Sequence, residues 1–155
     1  MHVTLAFLGR TADERLADIT AAVESAAGAV TAFDVELDRP GRFPTSGRPR
    51  VVWLGIGVGA PAVLALGDGV RAELGRREIA FDAKPLRTHV TLGRVREDVE
   101  LVDARAIAAG VEAMRVPYLR FRADAVVVFE SVLSPRGPRY TPRATAPLRV
   151  GDGSA

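Results

Sequence analysis

Polar and apolar positions alternate from the start of the chain, with His2 and Thr4 polar, Val3 and Leu5 apolar, and Ala6-Phe7-Leu8 following. Alternate side chains of an extended chain share a face. The pattern therefore predicts a strand with His2 and Thr4 together, roughly 7 Å apart, and Val3 and Leu5 turned to the core. His89-Val90-Thr91-Leu92 carries the same alternation and predicts a second such strand. Between them, Thr11-Ala12-Asp13-Glu14 has the form of a capping box, and Leu16, Ile19, Val23 and Ala27 recur at helical spacing to Gly28. Phe33, Val35 and Leu37 alternate with Asp34, Glu36 and Asp38, which predicts a half-buried strand over 31–38. Glycines and prolines punctuate Arg39 to Arg50, an expected loop, and Val51 to Ile56 is an apolar strand.

Pro61 suits the first turn of a helix whose stripe is Val63, Leu66, Val70 and Leu74. Gly67 and Gly69 each weaken that helix by about 1 kcal/mol, so packing must hold it. A short apolar piece, Ile79 to Phe81, leads through Pro85 and Arg87 to the second motif, and Ala104, Ile107, Val111 and Met114 mark a third helix. Leu119, Phe121, Ala123, Ala125, Val127 and Phe129 fall on one side of an expected single long strand. Pro135, Gly137 and Pro138 turn the chain into a last extended piece, Arg139 to Val150. The tail, 151–155, is expected to fray.

The two motifs lie 87 residues apart, and the same shift carries the first helix onto the third and the strand over 31–38 onto the start of the long strand. Two related halves follow, with one His-x-Thr expected from each at a shared cleft. The second motif is preceded by a strand and a helix, the first by Met1 alone. Residues 1–150 are accordingly expected to form one domain lacking a matching N-terminal strand-helix unit.

Composition adds limits. At 155 residues and 48% hydrophobic content, a single globular domain is expected. No apolar run is long enough to span a membrane and no signal peptide is visible, so the expected setting is cytoplasmic. The absence of cysteine excludes disulfides and thiolate chemistry. Net charge is only +2, yet Lys84 is the single lysine among the basic residues, and arginine suits planar contact with phosphates. The chain's two histidines each open one motif. Imidazole can serve as base or acid near pH 7, and a neighbouring hydroxyl can donate to phosphoryl oxygen. His2 and His89 are therefore the candidate catalytic pair, with Thr4 and Thr91 as candidate phosphate ligands. Neither histidine has a second metal ligand at a recognised spacing, and no metal or cofactor is expected.

Further stretches carry a family resemblance. His2-Val3-Thr4-Leu5-Ala6-Phe7-Leu8-Gly9 and His89-Val90-Thr91-Leu92-Gly93-Arg94 resemble the paired signatures of the RNA 2′,3′-cyclic phosphodiesterases, or 2′-5′ RNA ligases, of the two-histidine phosphoesterase superfamily. Phe43-Pro44 ahead of Arg50-Val51-Val52-Trp53-Leu54-Gly55, and Glu130 to Leu133 with Gly137 to Thr141, are similar too. The resemblance covers nearly the whole chain. It implies a bilobal, pseudo-two-fold α+β fold of two mainly antiparallel sheets, with helices outside and a central cleft. It also implies metal-independent hydrolysis of RNA 2′,3′-cyclic phosphate ends to 2′-phosphates by a monomer, with 2′-5′ ligation as a side activity. In that family one histidine activates water and the other protonates the departing 3′ oxygen, and the resemblance leans towards His89 as base and His2 as acid.

Phe7 and Arg94, each five residues after a histidine, are the family's candidates for stacking a base and holding phosphate, with Arg42 and Tyr140 behind them. Simple alternation places Phe7 and Arg94 on the face opposite the histidines, so a twist or bulge is required. Thr88 stands where the family often has proline. Two alternatives use the same cleft: a non-catalytic RNA-binding module, and a two-histidine phosphodiesterase for 2′-5′ oligonucleotides or small cyclic nucleotides.

Overall fold

The computed structural model describes residues 2–134 and 137–151. The turn expected at Pro135 and the tail beyond Gly151 lie outside these residues. The fold is α+β, with helices α1 (Leu16–Gly28), α2 (Ala60–Arg76) and α3 (Leu101–Ala113). The strands are β1 (Phe33–Phe43), β2 (Val51–Ile56), β3 (His89–Arg94), β4 (Leu119–Ala123), β5 (Ala125–Ser134) and β6 (Gly137–Pro147). A four-stranded sheet has the order β3-β2-β1-β4, and β5 and β6 form a two-stranded antiparallel sheet.

By contact density the chain divides into two units. One contains the N-terminal segment through Thr4, Asp34–Val63 and Arg87–Phe121; the other contains Leu5–Phe33, Leu64–Leu86 and the remainder from Arg122. The first buries Val35, Leu37, Leu54, Ile56, Val63, Val90, Ala104 and Val111. The second has a core in which Ile19, Ala22, Val23 and Ala26 of α1 meet Leu66, Val70 and Leu74 of α2 and Val126 of β5. Packing does hold α2 despite its glycines, because a Cβ on Gly67 would lie 2.3 Å from Cδ2 of Leu86. The missing side chain is what admits that leucine.

Four expectations are corrected. First, residues 2–8 join no strand ladder. Alternation fixes which side chains meet water, and His2 and Thr4 are indeed exposed with Val3 and Leu5 half-buried. A ladder needs a partner strand as well. The segment is tied instead by single bonds, with Arg71 Nε donating to the Leu5 carbonyl at 3.2 Å and the Asp82 amide to the Phe7 carbonyl at 2.8 Å.

Second, the capping box does not form. Thr11 Oγ1 donates back to the Leu8 carbonyl at 3.3 Å, and Ala12 caps a 3-10 turn, Asp13–Arg15, that leads into α1. Third, β1 runs on through Arg39 and Arg42 to Phe43, because β2 supplies ladder partners as far as Phe43↔Val51. Fourth, the long strand is two. At Asp124, whose carbonyl accepts the Leu148 amide at 2.7 Å, the chain leaves one sheet for the other. Val126 and Val128 then face the core, while Phe129 is exposed.

Candidate active site

His89 opens β3, the outer strand beside β2. Its Nδ1 lies 2.8 Å from the Arg87 carbonyl. A carbonyl only accepts, so Nδ1 must carry the hydrogen and the neutral ring keeps its lone pair on Nε2. Two aromatic rings hold the imidazole from its sides. Phe43 meets it edge-on at 5.2 Å between centroids, and Trp53 lies at 6.0 Å. Phe43 and Trp53 are themselves 5.1 Å apart, and the Arg87 guanidinium sits 5.0 Å over the Phe43 ring. Arg87 thus orients His89 twice, directly through its carbonyl and indirectly through Phe43.

Register assigns the faces, because directly opposed residues of an antiparallel pair point the same way. The rows read Arg39, Gly55, His89; then Gly41, Trp53, Thr91; then Phe43, Val51, Arg94. Between the second and third rows Leu92 has no partner on β2, since Trp53 pairs with Thr91 and Val52 with Gly93. This is a β-bulge, and it returns Arg94 to the face of His89 and Thr91. The bulge that Arg94 required is therefore present. The opposite face carries Leu54, Ile56 and Val90, all buried.

His2 and Thr4 lie in the same unit as His89, Thr91 and Arg94. Both His-x-Thr segments thus belong to one unit rather than one to each. The His2 pKa is held below its ordinary value, first by partial burial of the ring and second by the positive chain terminus beside it. Phe7 falls in the other unit and is 64% exposed. Tyr140 also falls there, in β6, edge-on to Phe129 at 6.2 Å.

Arg42 is a structural clamp. Its Nη1 donates to the carbonyls of Pro44 and Gly47 at 3.1 and 3.2 Å, and its Nη2 lies 3.6 Å from Glu112 of α3. Sequence reading missed the Phe43, Trp53 and Arg87 cluster around His89, although Phe43 and Trp53 belong to stretches that carry the family resemblance. Among the described residues, no three histidine, cysteine or carboxylate side chains gather into a metal-ligand set, and no helix is long and apolar enough to cross a membrane.

Known proteins resemble this chain over most of its length. The RNA 2',3'-cyclic phosphodiesterase of Aeropyrum pernix is 30% identical over 90% of this chain and 77% of its own length. That of Archaeoglobus fulgidus is 32% identical over 90% and 75%. The crystal structure of TT0787 of Thermus thermophilus superposes with a TM-score of 0.76 at 30% identity, covering 97% of this chain and 79% of that one. The E. coli LigT structure complexed with NADP+ gives 0.66 at 25% identity, covering 95% and 75%. The sequence pattern described as the 2'-5' RNA ligase superfamily matches residues 1–133. The chain belongs to the 2'-5' RNA ligase superfamily.

Proposed function

We propose that this chain hydrolyses RNA 2′,3′-cyclic phosphate ends to 2′-phosphates, with His89 and His2 as the acid-base pair. The observation that carries the reading is the bond from His89 Nδ1 to the Arg87 carbonyl, which leaves Nε2 as the basic nitrogen on a face shared with Thr91 and Arg94. In the forward step His89 Nε2 takes a proton from water as the water oxygen bonds to phosphorus. The bond from phosphorus to the 3′ oxygen breaks, and His2 gives that oxygen its proton. The 2′ ester stays intact, so the product is a 2′-phosphate and a free 3′ hydroxyl. Thr4 and Thr91 donate to the non-bridging phosphoryl oxygens, and Arg94 offsets their charge. The names of the relatives support the substrate class. The reaction takes place in the cytoplasm on a monomer.

Phosphorus NMR of a nucleoside 2′,3′-cyclic phosphate with this chain and excess chelator tests the proposal. Conversion to the 2′-phosphate alone is expected, with a loss of at least about 100-fold for His89→Asn or His2→Asn, in line with general acid-base contributions. A 3′-phosphate product, or a His89 variant as fast as the parent, would overturn it.

A further inference from the structure

Arg39 shares the row of His89 and has no part in the chemistry above. Three features place it there. A second β-bulge, at Asp38, separates Leu37↔Ile56 from Arg39↔Gly55, and it turns Arg39 onto the histidine face just as the bulge at Leu92 turns Arg94. The strand between Arg39 and His89 carries glycine at the crossing point. A Cβ on Gly55 would lie 3.0 Å from Cγ, 3.3 Å from Nε and 3.4 Å from Cζ of Arg39, so the arginine lies across β2 in the space that a side chain would fill. Asp38 fixes its direction through a 3.0 Å bond to Nη1, and Asp38 in turn rests over Gly57, where a Cβ would meet its Oδ2 at 2.7 Å.

The guanidinium thus lies over β2, the strand next to β3, yet the side chain remains 62% exposed. Asp38 occupies one amino group, and a guanidinium has five donors. The arrangement suits an oxyanion arriving from solvent.

The reacting phosphate must lie within reach of His89 and Thr91, both on β3. Neighbouring strands are about 4.8 Å apart, so a group over β2 is set back from that phosphate by roughly one strand width. One nucleotide bridges such an offset. Resting on the function proposed above, we infer that Arg39 binds the phosphate one nucleotide upstream of the cyclic end, so that the site favours a polynucleotide end over a mononucleotide. The contact is charge-assisted and specific to a second phosphate.

Binding tests this first, because binding does not depend on turnover. A short single-stranded RNA ending in a 2′-phosphate and a nucleoside 2′-phosphate are titrated against the parent protein and Arg39→Gln over a range of salt. The variant should lose about tenfold more affinity for the RNA than for the nucleoside, and its log-log salt dependence on RNA should flatten by about 0.7, the value for one single-strand phosphate contact. Arg39→Lys should keep most of the salt slope. The same discrimination should appear in kcat/KM on the two cyclic phosphates.

Equal losses on both ligands, or no loss on the RNA, would overturn the assignment of Arg39. Failure of the parent protein to turn over either cyclic phosphate would strike the proposed activity instead, leaving the binding result to judge Arg39.

Discussion

Phe43 supports the His89 imidazole edge-on and lies beneath the Arg87 guanidinium, so truncating it should affect chemistry more than binding. Phe43→Ala leaves the bond to the Arg87 carbonyl in place but frees the ring to tilt. A misplacement of this kind can cost up to about 100-fold in rate. We expect kcat to fall by roughly tenfold with KM little changed, and Phe43→Tyr to restore most of it. Steady-state kinetics decide the matter, and a rise in KM at constant kcat would contradict this role.

His2 makes a separate prediction. Its folded pKa lies below the reference value of 6.5 because of ring burial and then the nearby positive terminus, so the unfolded chain binds the proton more tightly. Stability linked to this group is full above about 6.5 and declines as pH falls from there towards the depressed folded value. Proton NMR of the two imidazoles should show one that titrates below 6.5 and disappears in His2→Asn. If the resonance lost in that variant titrates at or above 6.5, the burial argument fails.

At the scale of elements, two bulges decide which arginines face the chemistry. Each adds one unpaired residue, Asp38 in β1 or Leu92 in β3, and each reverses the alternation beyond it. Helices, β2 and β3 were legible because their apolar periodicity is the same quantity that burial selects. The need for a bulge before Arg94 was legible too, since alternation alone put it on the wrong face. The bulge at Asp38 was not legible, because Asp34, Glu36 and Asp38 read as unbroken alternation. The run of β1 past Arg39, the break at Asp124 and the unpaired first motif were hidden for a related reason. Each depends on which strand lies alongside, and local pattern does not contain that information.

Gly41 tests this sheet directly, since a Cβ there would meet Cη2 and Cζ2 of Trp53 at 2.2 Å. No rotation of a methyl relieves that distance, so Gly41→Ala must displace the indole that flanks His89. Overpacking of this type costs about 1–3 kcal/mol. Trp53 is the chain's one tryptophan, so a shift of its emission together with a lower denaturation midpoint is the expected result. Unchanged emission would show that the sheet has room that the structure does not display.

For the molecule as a whole, one carboxylate joins two helices of a single core. Glu73 of α2 accepts from Arg76 and Arg77 one turn on, and from Ser25 Oγ of α1 at 2.9 Å. The two arginines are local to the helix, so the bond from Ser25 is what ties helix to helix. These partners, led by Arg76 and then Arg77, bring the Glu73 pKa down from 4.5 to about 2. The folded state therefore holds the ionised carboxylate better than the unfolded chain does. Its contribution is fully present above 4.5 and is lost as pH falls towards about 2.

The α1 and α2 helices supply most of the buried cluster in their unit, so loosening this tie should be felt across the cooperative unfolding of that core. Urea denaturation at a series of pH values compares the parent with Glu73→Gln. The variant should be less stable at pH 7, its stability should vary less between pH 4.5 and 2, and the two proteins should converge at the acid end. Parallel curves, with the same deficit at every pH, would mean that Glu73 acts through packing alone and that its charge contributes nothing to holding α1 on α2.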